Sequence, residues 1–126
     1  MAKITRFKFL GSERLGNGIV EDEKEVSRGT IAMFNADGKV DEINDVAGCV
    51  FAGIIKASAG SGEPCEFDYG PPFFYAEATA ARANTGKPVY ASGAGALALT
   101  SENSVFVGTV VDVEPSIGWW IDPMKF

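Results

Sequence analysis

The stretch Val50-Phe51-Ala52-Gly53-Ile54-Ile55 decides the fold, because it returns 55 residues later as Val105-Phe106-Val107-Gly108-Thr109-Val110. A short apolar run bounded by turn residues reads as a buried strand, being too brief for an ordinary helix. The glycine inside each copy marks a bulge or a place where another backbone comes close. Working outward, Arg28-Gly29-Thr30-Ile31 corresponds to Thr85-Gly86-Lys87-Pro88-Val89, and Ala36-Asp37-Gly38-Lys39-Val40 to Gly93-Ala94-Gly95-Ala96-Leu97. Downstream, Gly62-Glu63-Pro64-Cys65-Glu66-Phe67-Asp68 faces Gly118-Trp119-Trp120-Ile121-Asp122. Segments that recur in one order at nearly one spacing indicate an internal duplication.

Each unit reads as a strand after a glycine, a tight turn, a second strand, a polar link, the V-F-x-G strand, and a glycine turn into a last alternating strand. Asp37-Gly38 is the clearest hairpin signal, since Asp-Gly accepts the positive φ of a tight turn. Only Ala76 to Ala83, rich in Ala with Glu and Arg and followed by Gly86, has a helical composition, although Pro71-Pro72 precedes it. The expected fold is all-β: a small β-barrel or sandwich of two pseudo-repeated units, with at most one short helix.

Ahead of the duplication, Lys3-Ile4-Thr5-Arg6-Phe7-Lys8-Phe9 alternates so that two Phe residues face one way and Arg6 and Lys8 the other. Gly11 and Leu15-Gly16-Asn17-Gly18 then separate it from the body. Two readings stand side by side: an N-terminal extended arm over residues 1–18 that adds itself to a partner's sheet, or an ordinary first strand of the chain's own sheet. Residues 19–126 form the single β domain. Charge divides at the same boundary: Lys3, Arg6, Lys8 and Arg14 against Glu13 give the first 18 residues a net +3, leaving 7 basic and 16 acidic groups, a net −9, for the rest.

An acidic body argues against nucleic acid, whose phosphates call for clustered Lys and Arg. At 126 residues, with 46% hydrophobic and 22% charged residues, the chain fits one domain with a real core. No apolar run approaches the roughly 20 residues of a membrane helix, and Met1 to Leu10 lacks the continuous apolar stretch of a secretory signal, so neither membrane nor export is expected. Histidine is absent. That removes Ser-His and Cys-His nucleophile pairs, His-ligated zinc and the usual base near neutral pH. Cys49 and Cys65 are too few for a Cys-only zinc site; a single disulfide and two buried thiols both stay open, the thiols being the plainer reading. Neither a cofactor nor a metal is expected.

The remaining motifs have structural readings. Glu21, Asp22, Glu23 and Glu25 lack the spaced pattern of a calcium loop and read as a solvated acidic turn. Asp68 and Asp122 fall at related positions, but neither sits in the D-T/S-G loop of an aspartic protease, so both read as strand-end aspartates. Gly93-Ala94-Gly95 has no helix after it and reads as a hairpin tip. Ser61, Ser92 and Ser101 have no base. Trp119-Trp120 offers a sugar-stacking surface or, more simply, one core ring and one interface ring; Phe73-Phe74-Tyr75 reads as an aromatic strand buried in an oligomer.

Taken together, Gly86 to Tyr90 (G-K-P-V-Y), the turn Gly93 to Gly95, V-F-V-G-T-V-V over Val105 to Val111, and the final strand Gly118 to Asp122 resemble the capsid cement, or head decoration, proteins of tailed bacteriophages and prophages. A-G-C-V-F-A-G-I-I and S-G-E-P-C-E-F of the first unit match as well, so the resemblance spans about residues 26–122. It implies a structural virion protein with no catalysis, a homotrimer on the capsid exterior, made in the host cytoplasm, with the major capsid protein as partner. On that basis Ile4, Arg6, Phe7, Lys8 and Phe9 are the expected shell contacts, and Phe73, Phe74, Tyr75, Trp119 and Trp120 the expected oligomer interface. A tail or fibre-base module and a small carbohydrate-binding domain are the alternatives.

Overall fold

The computed structural model describes residues 4, 6–7, 14–42, 49–92, 96–99 and 105–123. Among them are ten strands: β1 (Leu15–Ile19), β2 (Ile31–Phe34), β3 (Val40–Glu42), β4 (Val50–Ile55), β5 (Pro64–Asp68), β6 (Phe73–Ala76), β7 (Pro88–Ser92), β8 (Ala96–Ala98), β9 (Phe106–Glu114) and β10 (Gly118–Asp122). They form two five-stranded sheets, ordered β1-β5-β4-β2-β3 and β6-β10-β9-β7-β8, antiparallel throughout. Reading β6 for β1, β10 for β5, β9 for β4, β7 for β2 and β8 for β3 turns the first order into the second. The fold is an all-β sandwich of two units, as the repeat predicts.

The repetition reaches single hydrogen bonds. In the first unit the register steps from Ala32↔Gly53 to Met33↔Phe51, leaving Ala52 as a bulge; in the second it steps from Val89↔Gly108 to Tyr90↔Phe106, leaving Val107. Gly29 and Gly86 both have left-handed backbone, φ 83° and 87°. Gly29 N–H donates to the Ile55 carbonyl at 2.8 Å, and Gly86 N–H to that of Val110 at 2.7 Å. Asp68 and Asp122 are counterparts too, so Pro64, not Gly62, stands where Gly118 stands; the sequence match of the last segment is two residues off.

The strand glycines mark close approaches. A Cβ on Gly53 would lie 2.7 Å from the Asp68 carbonyl oxygen, and one on Gly108 2.6 Å from that of Asp122. Asp37-Gly38 closes the β2–β3 hairpin as expected, with Gly38 at φ 76° and Asn35 N–H donating to Lys39 O across the turn.

Alternation along β2 and β4 joins the units. Ala32, Ala52 and Ile55 face the first unit's interior with Val20, Val26, Val40, Cys65 and Phe67. Ile31, Met33 and Ile54 face the other way, into one core with Val89, Leu97, Val107, Val110, Trp119 and Ile121 of the second unit. The Phe51 and Phe73 rings stack across this seam with centroids 6.5 Å apart. A parallel bridge between Val20 and Val40 draws the first sheet round its own interior.

The helix expected over Ala76 to Ala83 does not form. Ala76 ends β6, opposite Gly118. The Glu77 carboxylate then accepts from Thr79 N–H and Oγ, bending the chain, and only Arg82–Asn84 makes a 3-10 turn. Side-chain bonds to the local backbone compete with a helix that has little apolar face to bury. No helix among the described residues is long and apolar enough to cross a membrane.

Candidate functional site

Among the described residues, two equivalent strand edges, β6 and β1, and a few exposed apolar side chains are candidates for meeting a partner. At β6 the edge is covered by the chain's own N-terminus. Ile4 is 4% exposed, inside the second unit's core, with its N–H donating to Gly29 O. Phe7 bridges Phe73, and the Arg6 carbonyl accepts from Phe74 N–H at 3.0 Å. The Arg6 guanidinium lies 4.1 Å from the Phe74 ring centroid and 5.0 Å from that of Trp120, and it pairs with Glu114 Oε2 at 2.8 Å. Trp120 Nε1 donates to the same oxygen at 2.8 Å.

These contacts correct two expectations. At Ile4, Arg6 and Phe7 the N-terminal segment is packed on its own body and is no free arm, and residues 15–18 belong to β1; Lys8 and Phe9 lie outside the described residues. A segment with apolar residues on one side and a cation on the other found, within its own chain, an unpaired strand edge beside two aromatic rings. The residues expected at an oligomer interface are likewise taken up within one chain. Phe73, Tyr75, Trp119 and Trp120 are buried in the monomer, and Phe74 is half-buried under Arg6. The Tyr75 ring stacks on Trp119 at 6.1 Å, and its oxygen accepts from Leu97 N–H at 3.1 Å. Trp119 Nε1 donates to Asn84 Oδ1. Large rings are needed there because the second unit must fill an interior that the first fills differently.

The other edge, β1, escaped the sequence reading. Its glycines suggested flexible chain, yet Leu15-Gly16-Asn17-Gly18-Ile19 alternates with a period of two and pairs with β5 along its whole length. Gly16 and Gly18 face inward, where Cβ atoms would meet the Phe67 ring and the Val40 side chain. Leu15 and Ile19 face outward, 48% and 46% exposed. Among the described residues, Val50 and Ile117 are the other large apolar side chains left exposed.

The polar candidates have local duties. Glu21 accepts from Asp22 N–H and from Asn35 Nδ2, and Lys39 Nζ lies 3.9 Å from it and 3.7 Å from Asp22. The Asp22 N–H first, then the Asn35 amide and the nearby lysines, hold the Glu21 carboxyl below the usual range. Asp68 Oδ1 accepts from Arg14 N–H and Gly70 N–H, fixing the turn after β5, while Asp122 ends a strand of the other sheet. Ser61 Oγ accepts from Glu23 N–H. Both cysteines are free thiols; burial pushes each up, and the Asp41 charge adds to this at Cys49. No three His, Cys, Asp or Glu side chains among the described residues are placed to hold a metal. Comparison with models of known protein families and with curated proteins finds no match.

Proposed function

We propose that this chain is a structural virion protein that binds the outer surface of a tailed-phage capsid and stabilises the shell, acting as a trimer with the major capsid protein as its partner. The supporting observation is the duplicated Gly-and-apolar unit that carries the resemblance: it builds an all-β body whose rings and carboxylates serve packing and turns. What such a body offers a partner is shape, strand edges and exposed apolar side chains. Val50 and Ile117 are exposed candidates for shell contact, joined by Lys8 and Phe9 of the basic segment. Many copies, each with modest contacts, favour the assembled shell by mass action and multivalency. A sugar-binding role finds less support, because the Trp119 and Trp120 rings are covered within the chain.

Co-sedimentation of the full chain with expanded, undecorated capsids of its own phage tests this. Saturable binding at a multiple of three copies per binding vertex is expected. Absence of binding to expanded shells overturns the proposal and favours a tail or fibre-base module.

A further inference from the structure

One corner of the second unit holds more than packing requires. Phe74 of β6 and Trp120 of β10 are cross-strand partners on the face of their sheet that points away from the core, with ring centroids 5.4 Å apart and planes inclined at 62°. Gly118 makes room for them, since a Cβ there would run into the Phe74 ring. Glu114, opposite Gly118 on β9, turns its carboxylate into the same corner, where Oε2 accepts from Trp120 Nε1 at 2.8 Å. Two inclined rings and a carboxylate held by one of them make a seat for a cation.

The first unit has no such corner. Asn17 and Glu66 stand where Phe74 and Trp120 stand. The shared strand order therefore does not call for the rings, and neither does the core, which Phe73, Tyr75 and Trp119 fill from the opposite face. The occupant shows the chemistry the corner takes. The half-exposed Arg6 guanidinium lies 4.1 Å from the Phe74 centroid and 5.0 Å from that of Trp120, and its Nη2 meets the indole-held Glu114 Oε2 at 2.8 Å. A planar cation can lie on a ring while its edge donates to a carboxylate; an ammonium, compact and strongly hydrated, matches this geometry less well. Phe74 N–H also donates to the Arg6 carbonyl at 3.0 Å, so the strand that carries the arginine is held by its main chain beside the seat.

We propose that Phe74, Trp120 and Glu114 form a guanidinium-binding site that reads an arginine on an extended strand. Arg6 is its resident ligand, and an arginine-bearing strand of a partner can take that place. The site goes beyond the shell reading and does not rest on it.

Arg6→Ala in the full chain empties the seat, and the Trp120 indole N–H signal in nuclear magnetic resonance spectra reports on it. The probes are ethylguanidinium and ethylammonium, compared at equal concentration and ionic strength. Ethylguanidinium is expected to move the signal saturably toward its wild-type position and to bind at least about fivefold more tightly than ethylammonium. In wild type, whose seat is filled, the same additions should leave the signal in place. Equal responses to the two cations, no saturable response, or the same response in wild type overturns the site. Arg6→Ala/Glu114→Gln is expected to bind ethylguanidinium about fivefold more weakly than Arg6→Ala, and unchanged binding overturns the three-residue site.

An acetylated and amidated peptide of residues 4–7, Ile-Thr-Arg-Phe, tests the strand. It should bind Arg6→Ala more tightly than ethylguanidinium does, because it adds the main-chain bond to Phe74, and lose that affinity when its arginine is replaced by lysine. A peptide that binds no more tightly than ethylguanidinium, or equally well with lysine, overturns the reading of a strand-borne arginine. Near-ultraviolet circular dichroism confirms that each variant is folded. Shell binding plays no part in these outcomes, so failure here and failure of the capsid proposal are told apart.

Discussion

The first and second units share strand order, bulges and turn hydrogen bonds but fill their interiors by opposite means. In the first, β1 brings Gly16 and Gly18 to the inner face, and the Phe67 ring lies over Gly16. In the second, Phe73 and Tyr75 occupy the equivalent places, and Trp119 stands where the first unit has Cys65. What stays constant is glycine where the main chain demands it: Gly29 and Gly86 at the left-handed turns, Gly53 and Gly108 under a carbonyl. The topology is thus fixed by backbone requirements and alternation, and the volume of each core is met by whichever strand supplies it.

The sharpest way to break this comparison is to exchange filling at one equivalent position. Trp119→Ala should cost about 3–5 kcal/mol, because it removes a buried ring stacked on Tyr75, whereas Cys65→Ala should cost about 1 kcal/mol. Urea denaturation of the two variants checks this, and equal losses would show that the interiors are not built differently. The glycines are next. Gly53→Ala should cost about 3 kcal/mol, since the added Cβ meets the Asp68 carbonyl and φ is 155°. Gly108→Ala meets the same carbonyl clash without that backbone strain and should cost about 2 kcal/mol in the same assay.

Smaller effects sharpen the comparison of edges. Arg6→Ala removes the stacking on Phe74 and the ion pair with Glu114; as these side chains are 48% and 34% exposed, solvent screens the pair and the loss should be about 1 kcal/mol. The smallest effect is at Glu21. Its carboxyl is held below the usual range in the folded state, so its contribution is present above the unfolded glutamate pKa of about 4.3 and is lost as pH falls through the lower folded value. Thermal unfolding of Glu21→Gln beside wild type, from neutral pH to about pH 3, should show the gap between them closing on the acid side.

Much of this architecture was legible in the sequence. The V-F-x-G repeat, the paired glycine turns and the Asp37-Gly38 hairpin are local signals, and each appears where the repeat put it. What stayed hidden was the kinship of β1 and β6. Gly16 and Gly18 resemble flexible chain while Phe73 and Tyr75 resemble an interface, and only the register against β5 and β10 reveals them as one position. For the same reason Phe73, Tyr75 and Trp119 read in the sequence as a subunit boundary: residue type shows that a ring is buried but not against which chain. The N-terminal alternation meets its own chain only as an isolated bridge from Phe7 to Phe73, and alternation says nothing about which edge receives it. Ala76 to Ala83 had helical composition, which Glu77 side-chain bonding and the pairing of Ala76 overrode.

The central claim is that two copies of one topology differ at an equivalent edge position, Phe74 on β6 being bonded to the chain's own N-terminus while the Asn17 amide on β1 meets no acceptor among the described residues, and amide hydrogen exchange tests it most directly. The Phe74 amide, bonded to the Arg6 carbonyl, should exchange slowly, while the Asn17 amide should exchange much faster. Equal protection of the two amides would contradict the account.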